Sequence, residues 1–103
     1  MHTVIETLLF QRQWPLYWTE EERGASATHL ADNPDEGEVI PASGGLRKIR
    51  WRRAGSGKSS DVRIIYFTRT EAGEIVLLTL YAKAKTGNIT GQKLKEIRRA
   101  LEI

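Results

Sequence analysis

Seven basic residues, Arg47, Lys48, Arg50, Arg52, Arg53, Lys58 and Arg63, fall between Leu46 and Arg63 against one acid, Asp61. Their local balance of +6 is twice the +3 of the whole chain. Lys83 and Lys85 follow further along. Trp51, Tyr66, Phe67 and Tyr81 are interleaved with these cations. Cations that neutralise phosphates and aromatic rings that stack on unpaired bases are the two requirements of single-stranded RNA recognition. Other chemistries have little to work with. There is no cysteine, which removes thiolate catalysis, disulfides and sulfur-ligated metals. The only imidazoles are His2 and His29, and no His/Asp/Glu set has metal-ligand spacing. His29 reads as a surface or packing residue.

Gly57-Lys58-Ser59 looks like the end of a phosphate-binding P-loop, but the first glycine of that motif would fall at Arg52, and a strand follows where the motif needs a helix. Without helix N-terminal N–H groups, a phosphate cradle lacks its main donors. The acids are no better placed for chemistry. They gather in the first long helix and its flanking loops, where capping and solubility account for them.

The charge is segregated along the chain. Residues 1–45 carry eight acids and two bases, whereas residues 64–103 carry four acids and seven bases. Such asymmetry implies a polyanionic partner, nucleic acid before anionic membrane, or an acidic protein that covers the patch. With 103 residues, 40% of them hydrophobic, one domain spanning 1–103 is expected. The N-terminus has no signal-peptide pattern and no apolar run is long enough to span a bilayer, so a cytoplasmic protein is expected.

The elements that position the cations follow from local pattern. Thr3 to Phe10 reads as a strand, and Gln11 to Trp18 as a short or broken helix around Pro15. Trp14, Tyr17 and Trp18 are core or interface anchors. Thr19 with Glu22 forms a capping-box signature opening a helix from Glu20 to Ala31, which stops before Asn33-Pro34. Glu38 to Ile40 is a short extended piece. Leu46 to Arg53 is a strand that sends Lys48, Arg50 and Arg52 to one face and Arg47, Ile49 and Trp51 to the other. Asp61 to Phe67 is the second arm of a hairpin joined through residues 54–60. Arg50 and Arg63 share a face only if they pair directly or at an even offset. Glu74 to Lys83 is the most apolar strand, expected to be covered on both faces. Lys85 to Thr90 breaks regular structure, and Leu94, Ile97 and Leu101 mark a basic amphipathic C-terminal helix. These elements predict an α+β fold with an antiparallel sheet of about four strands, two N-terminal helices and a C-terminal helix.

The succession GGLRKIRW, a Gly-Ser-Lys loop, VRIIYF, and a strand ending LLTLYAK resembles the RelE superfamily of toxins from bacterial type II toxin–antitoxin modules, in particular its HigB-like branch. The second half of the chain carries most of the likeness. The resemblance implies a compact RelE-like fold and a ribosome-dependent, metal- and cofactor-independent endoribonuclease that cuts messenger RNA by 2′-hydroxyl attack. It further implies a cognate antitoxin, often a helix-turn-helix protein, with operator DNA met only through the antitoxin complex. By motif, Lys48, Arg50, Arg63 and Lys83 take the catalytic positions. Where related chains continue with Asn-Glu, this one has Ala84-Lys85-Thr86, so Lys85 is the candidate for the last position. Arg47, Arg52, Arg53, Lys58 and Tyr81 are expected to contact RNA. Two other functions fit the same charges: a non-catalytic RNA- or DNA-binding module, and a decayed toxin that keeps antitoxin binding.

Overall fold

A computed structural model describes residues 2–51 and 61–103, the side chains of Ala84 and Lys85 excepted. The two apolar runs form the centre. Val62–Arg69 (β4) and Glu74–Ala82 (β5) pair antiparallel around a turn closed by Gly73, and Ile75 to Ala82 are all buried. Arg47–Trp51 (β3) pairs antiparallel with β4, and the two-residue strand Glu38–Val39 (β2) pairs antiparallel with β3. Thr3–Glu6 (β1) lies parallel to β5 on its other side, giving the order β1-β5-β4-β3-β2. Among the described residues the sheet is therefore five-stranded and mixed, where an antiparallel sheet of about four strands was expected. β5 is buried on both faces, so its free edge needs a partner for its backbone groups, and β1 supplies it.

The expected strand from Thr3 to Phe10 is cut at Thr7. Its hydroxyl accepts a hydrogen bond from the Phe10 amide and donates one to the Leu78 carbonyl at 2.8 Å. That N-cap opens helix α1, Leu8–Gln13, which a single 3-10 turn around Pro15 terminates. The second helix, α2, runs Glu20–Asp32 behind the capping box of Thr19 and Glu22. Lys83–Thr86 forms a short helical turn (α3), where the sequence suggested the end of a strand at Lys83 and irregular chain from Lys85, and α4 spans Gly91–Ala100 with Thr90 as its cap. Among the described residues no helix is long and apolar enough to cross a membrane.

Each sheet face has its own core. Phe10, Trp18 and Leu30 from the α1–α2 side meet Ile49, Ile64, Tyr66 and Leu77. On the other face Leu94 of α4 packs with Leu46, Ile65, Phe67, Leu78 and Tyr81, and the Arg98 guanidinium lies 3.8 Å from the centre of the Phe67 ring. A Cβ on Gly91 would fall 2.0 Å from the Pro41 carbonyl oxygen, so only glycine allows α4 to start so close to that turn. Helix α4 packs over this face where β4 carries Ile65 and Phe67. The end that bears Lys48, Arg50 and Arg63 opens into a pocket instead.

Candidate active site

The hairpin register decides the site. Arg50 pairs directly with Arg63 across β3 and β4, so both guanidinium groups leave the same face, and Lys48 joins them by alternation. Lys83 begins α3 immediately after β5. These four cations, from β3, β4 and α3, line one pocket of about 500 Å³, together with Glu36, Glu38 and Asn88.

Asp61, buried just ahead of β4, accepts a charge-assisted hydrogen bond from Arg50 Nε, which orients a guanidinium that is itself half exposed. Arg63 is held differently. Its Nη1 is buried and makes no hydrogen bond among the described residues. A buried donor without an acceptor, directly across from a second cation, is unfavourable in an empty pocket and favourable once an anion enters.

A β-bulge sets what faces Arg63 from the other side. The register shifts between Ile65 and Tyr66, so β5 has one residue more than β4 and Tyr81 stands opposite Arg63. Without that extra residue Leu80 would take the place. Gln13 clamps the bulge from the opposite face, its Oε1 accepting from the Thr79 hydroxyl at 2.6 Å and the Leu80 amide at 3.3 Å, and Thr7 holds the Leu78 carbonyl. Nothing local in the sequence signals these two supports. Burial pushes the Tyr81 phenol above its ordinary pKa, against a hydrogen bond from the Ile89 backbone and the charge of Arg63.

The expected aromatic platform is not formed. Tyr66 is fully buried, while Phe67 and Tyr81 are 4% and 5% exposed, so none presents a ring face to a base. Trp51 packs on the helix-covered side, edge-on to His29 with ring centres 5.5 Å apart. Alternation is the reason: the aromatics fall at positions the sheet needs for its two cores. His29 is a packing residue that also binds Glu36 at 2.6 Å.

Arg47 likewise leaves from the face opposite Lys48. It donates to the Gly37 carbonyl at 2.7 Å and the Asp35 carbonyl at 3.1 Å, and so fastens the segment leading to Glu36 and Glu38. Tyr66 fixes the same segment, donating to the Pro34 carbonyl and accepting from the Gly37 amide, both at 2.9 Å. A Cβ at Gly37 would lie 2.6 Å from that hydroxyl. Arg52, Arg53 and Lys58 lie outside the described residues. Lys85 lies within α3, two residues after Lys83 in sequence.

The acids Glu36 and Glu38 were assigned by sequence to solubility, yet they line the pocket. The signal for Glu38 was faint: two residues before Ile40 in a short extended piece, it falls on the same face as Ile40, which packs in the core beneath α4. Only the pairing of β2 with β3, which sets Glu38 opposite Lys48, brings it to the cations.

No family model matches the sequence. Among solved structures, the chain is similar to a double arginine-to-alanine variant of E. coli toxin RelE in the free state, with a TM-score of 0.62 over 82% of this chain and 86% of that one, at 11% identity. At that identity the likeness is one of architecture. With a basic pocket on the sheet face that α4 leaves open, this chain has the compact α+β fold of RelE.

Proposed function

We propose that the protein is the toxin of a type II toxin–antitoxin module, of the HigB-like branch of the RelE superfamily, and acts as a ribosome-dependent mRNA endonuclease. The observation that carries this reading is the convergence of Lys48, Arg50, Arg63 and Lys83 on one pocket, with the buried Arg63 Nη1 unpartnered among the described residues. RNA brings its own nucleophile, the 2′-hydroxyl, so the protein's task is to hold the sugar-phosphate in line and to stabilise the charge that builds on the phosphate. Arg63 clamps the phosphate with its planar donors, Lys48 and Arg50 favour the anionic 2′-oxygen, and Lys83 or Lys85 protonates the leaving oxygen. The burial of Tyr66, Phe67 and Tyr81 argues against a module that binds single strands by stacking, which needs exposed rings.

In this reading the protein works in the cytoplasm, its partners are the ribosome with its message and a helix-turn-helix antitoxin, and operator DNA is reached only through that antitoxin. Purified protein added to translating ribosomes cuts the message, whereas Arg63→Ala keeps most ribosome association and loses cutting. Intact message with the wild-type protein would leave only a binding function. A small helix-turn-helix reading frame next to the gene is the genomic counterpart of this test.

A further inference from the structure

We infer that Glu38 is the proton acceptor of this pocket, the group that takes the 2′-hydroxyl proton as the RNA chain is cut. The inference rests on the nuclease reading above. In-line attack needs a proton acceptor beside the 2′-oxygen, and lysine and arginine side chains ordinarily bear their protons at neutral pH. Among the described residues that line the pocket, the carboxylates are Glu36 and Glu38. The two differ in availability. Glu36 is engaged by the His29 ring, whereas no hydrogen bond or ion pair joins the Glu38 carboxylate to any described residue. Glu38 is exposed, sits directly opposite Lys48 on β3, and shares its face with Arg50 and Arg63. Directly opposed residues have their Cβ atoms about 5 Å apart, which puts this carboxylate beside the cations that stabilise an oxyanion.

The backbone holds the group in place from behind. The segment before it is tied by Arg47 to the Asp35 and Gly37 carbonyls and by the Tyr66 hydroxyl to Pro34 and Gly37. In the step, the 2′-O–H proton passes to the Glu38 carboxylate and the 2′-oxygen forms its bond to phosphorus. The bond from phosphorus to the 5′-oxygen breaks, and Lys83 or Lys85 gives that oxygen a proton. The products are a 2′,3′-cyclic phosphate and a 5′-hydroxyl, and the enzyme exchanges its misplaced protons with water. Lys48 then acts as a stabilising charge rather than as the base.

The test measures single-turnover mRNA cleavage on ribosomes for wild type, Glu38→Gln, Glu38→Asp and Lys83→Ala across pH. The titratable and charged groups facing Glu38 are Glu36 on its own segment, Lys48 and Arg50 on β3 with Asp61 behind Arg50, Arg63 on β4, Tyr81 on β5 and Lys83 on α3. Glu38→Gln is expected to slow cleavage by about 10²- to 10⁴-fold and to flatten the rise of rate with pH on the acidic side, with ribosome association unchanged. Glu38→Asp recovers part of the rate. A message whose leaving 5′-oxygen is replaced by sulfur needs no acid, so it restores Lys83→Ala but not Glu38→Gln. Wild-type cleavage with Glu38→Gln cutting within a few-fold of it, on the same pH profile, would overturn the assignment and leave the nuclease intact. Failure of the wild type to cut at all would overturn both.

Discussion

Replacing Arg63 by methionine should make the protein more stable and less active at once. The Arg63 Nη1 is buried and makes no hydrogen bond among the described residues, a situation that costs a folded protein about 1–3 kcal/mol. Arg50 stands directly across the ladder, and a like-charge pair at that position adds about 0.2–1 kcal/mol of repulsion. Methionine keeps most of the apolar stem and removes both penalties. The expected gain is therefore about 1–4 kcal/mol, and for a domain near 100 residues each kcal/mol raises Tm by about 4–8 °C. Thermal melts should show Arg63→Met melting at least about 4 °C above wild type in low salt. The gap narrows in high salt as the repulsion is screened. Inorganic phosphate should raise the wild-type Tm by ligand linkage and leave the variant unmoved. Cleavage on ribosomes should fall by about 10²- to 10³-fold, the usual loss when one transition-state donor is removed. A variant that melts below wild type would refute the claim that Arg63 is an uncompensated cation, and one that still cuts would refute the clamp.

Asp61→Asn removes the charge that orients Arg50; because Arg50 is half exposed, the loss should be only about 1–2 kcal/mol in chemical denaturation, with cleavage down about tenfold. Gly91→Ala drives a Cβ to 2.0 Å from the Pro41 carbonyl oxygen, a backbone atom that cannot swing aside, so it should destabilise by about 2 kcal/mol or more and free α4 to exchange its amide hydrogens faster. Tyr66→Phe strands the Gly37 amide and the Pro34 carbonyl, at about 1–3 kcal/mol, measured by urea titration. Burial raises the Tyr66 and Tyr81 phenols above the usual value near 10, so the unfolded chain loses these protons first and stability should fall as pH rises above 10. Tyr66→Phe should make that fall shallower, and an unchanged slope would refute the assignment.

Much of the frame was legible because it is set within a few residues. Strand alternation alone separated Lys48 and Arg50 from Arg47, Ile49 and Trp51, and the structure keeps them apart. The capping box at Thr19, the apolar seam of α4 and the buried β5 are likewise properties of short windows of sequence. The strand end at Thr7 was misread because its cap binds a carbonyl 71 residues away as well as its own helix.

What tertiary structure alone decided is the composition of the site. No local rule pairs Arg50 with Arg63, inserts a bulge that sets Tyr81 across from Arg63, or lays a two-residue strand beside β3 so that Glu38 meets Lys48. The same holds for the aromatics, which look like a stacking surface in sequence and become core once two faces must be filled. Periodicity tells which residues share a face of one element, but register between elements is a non-local choice made by burial and backbone pairing, and a shift of one residue inverts it. The sequence by itself determined which cations point together along each strand, and the packed sheet determined that they, and one carboxylate, open into the same pocket.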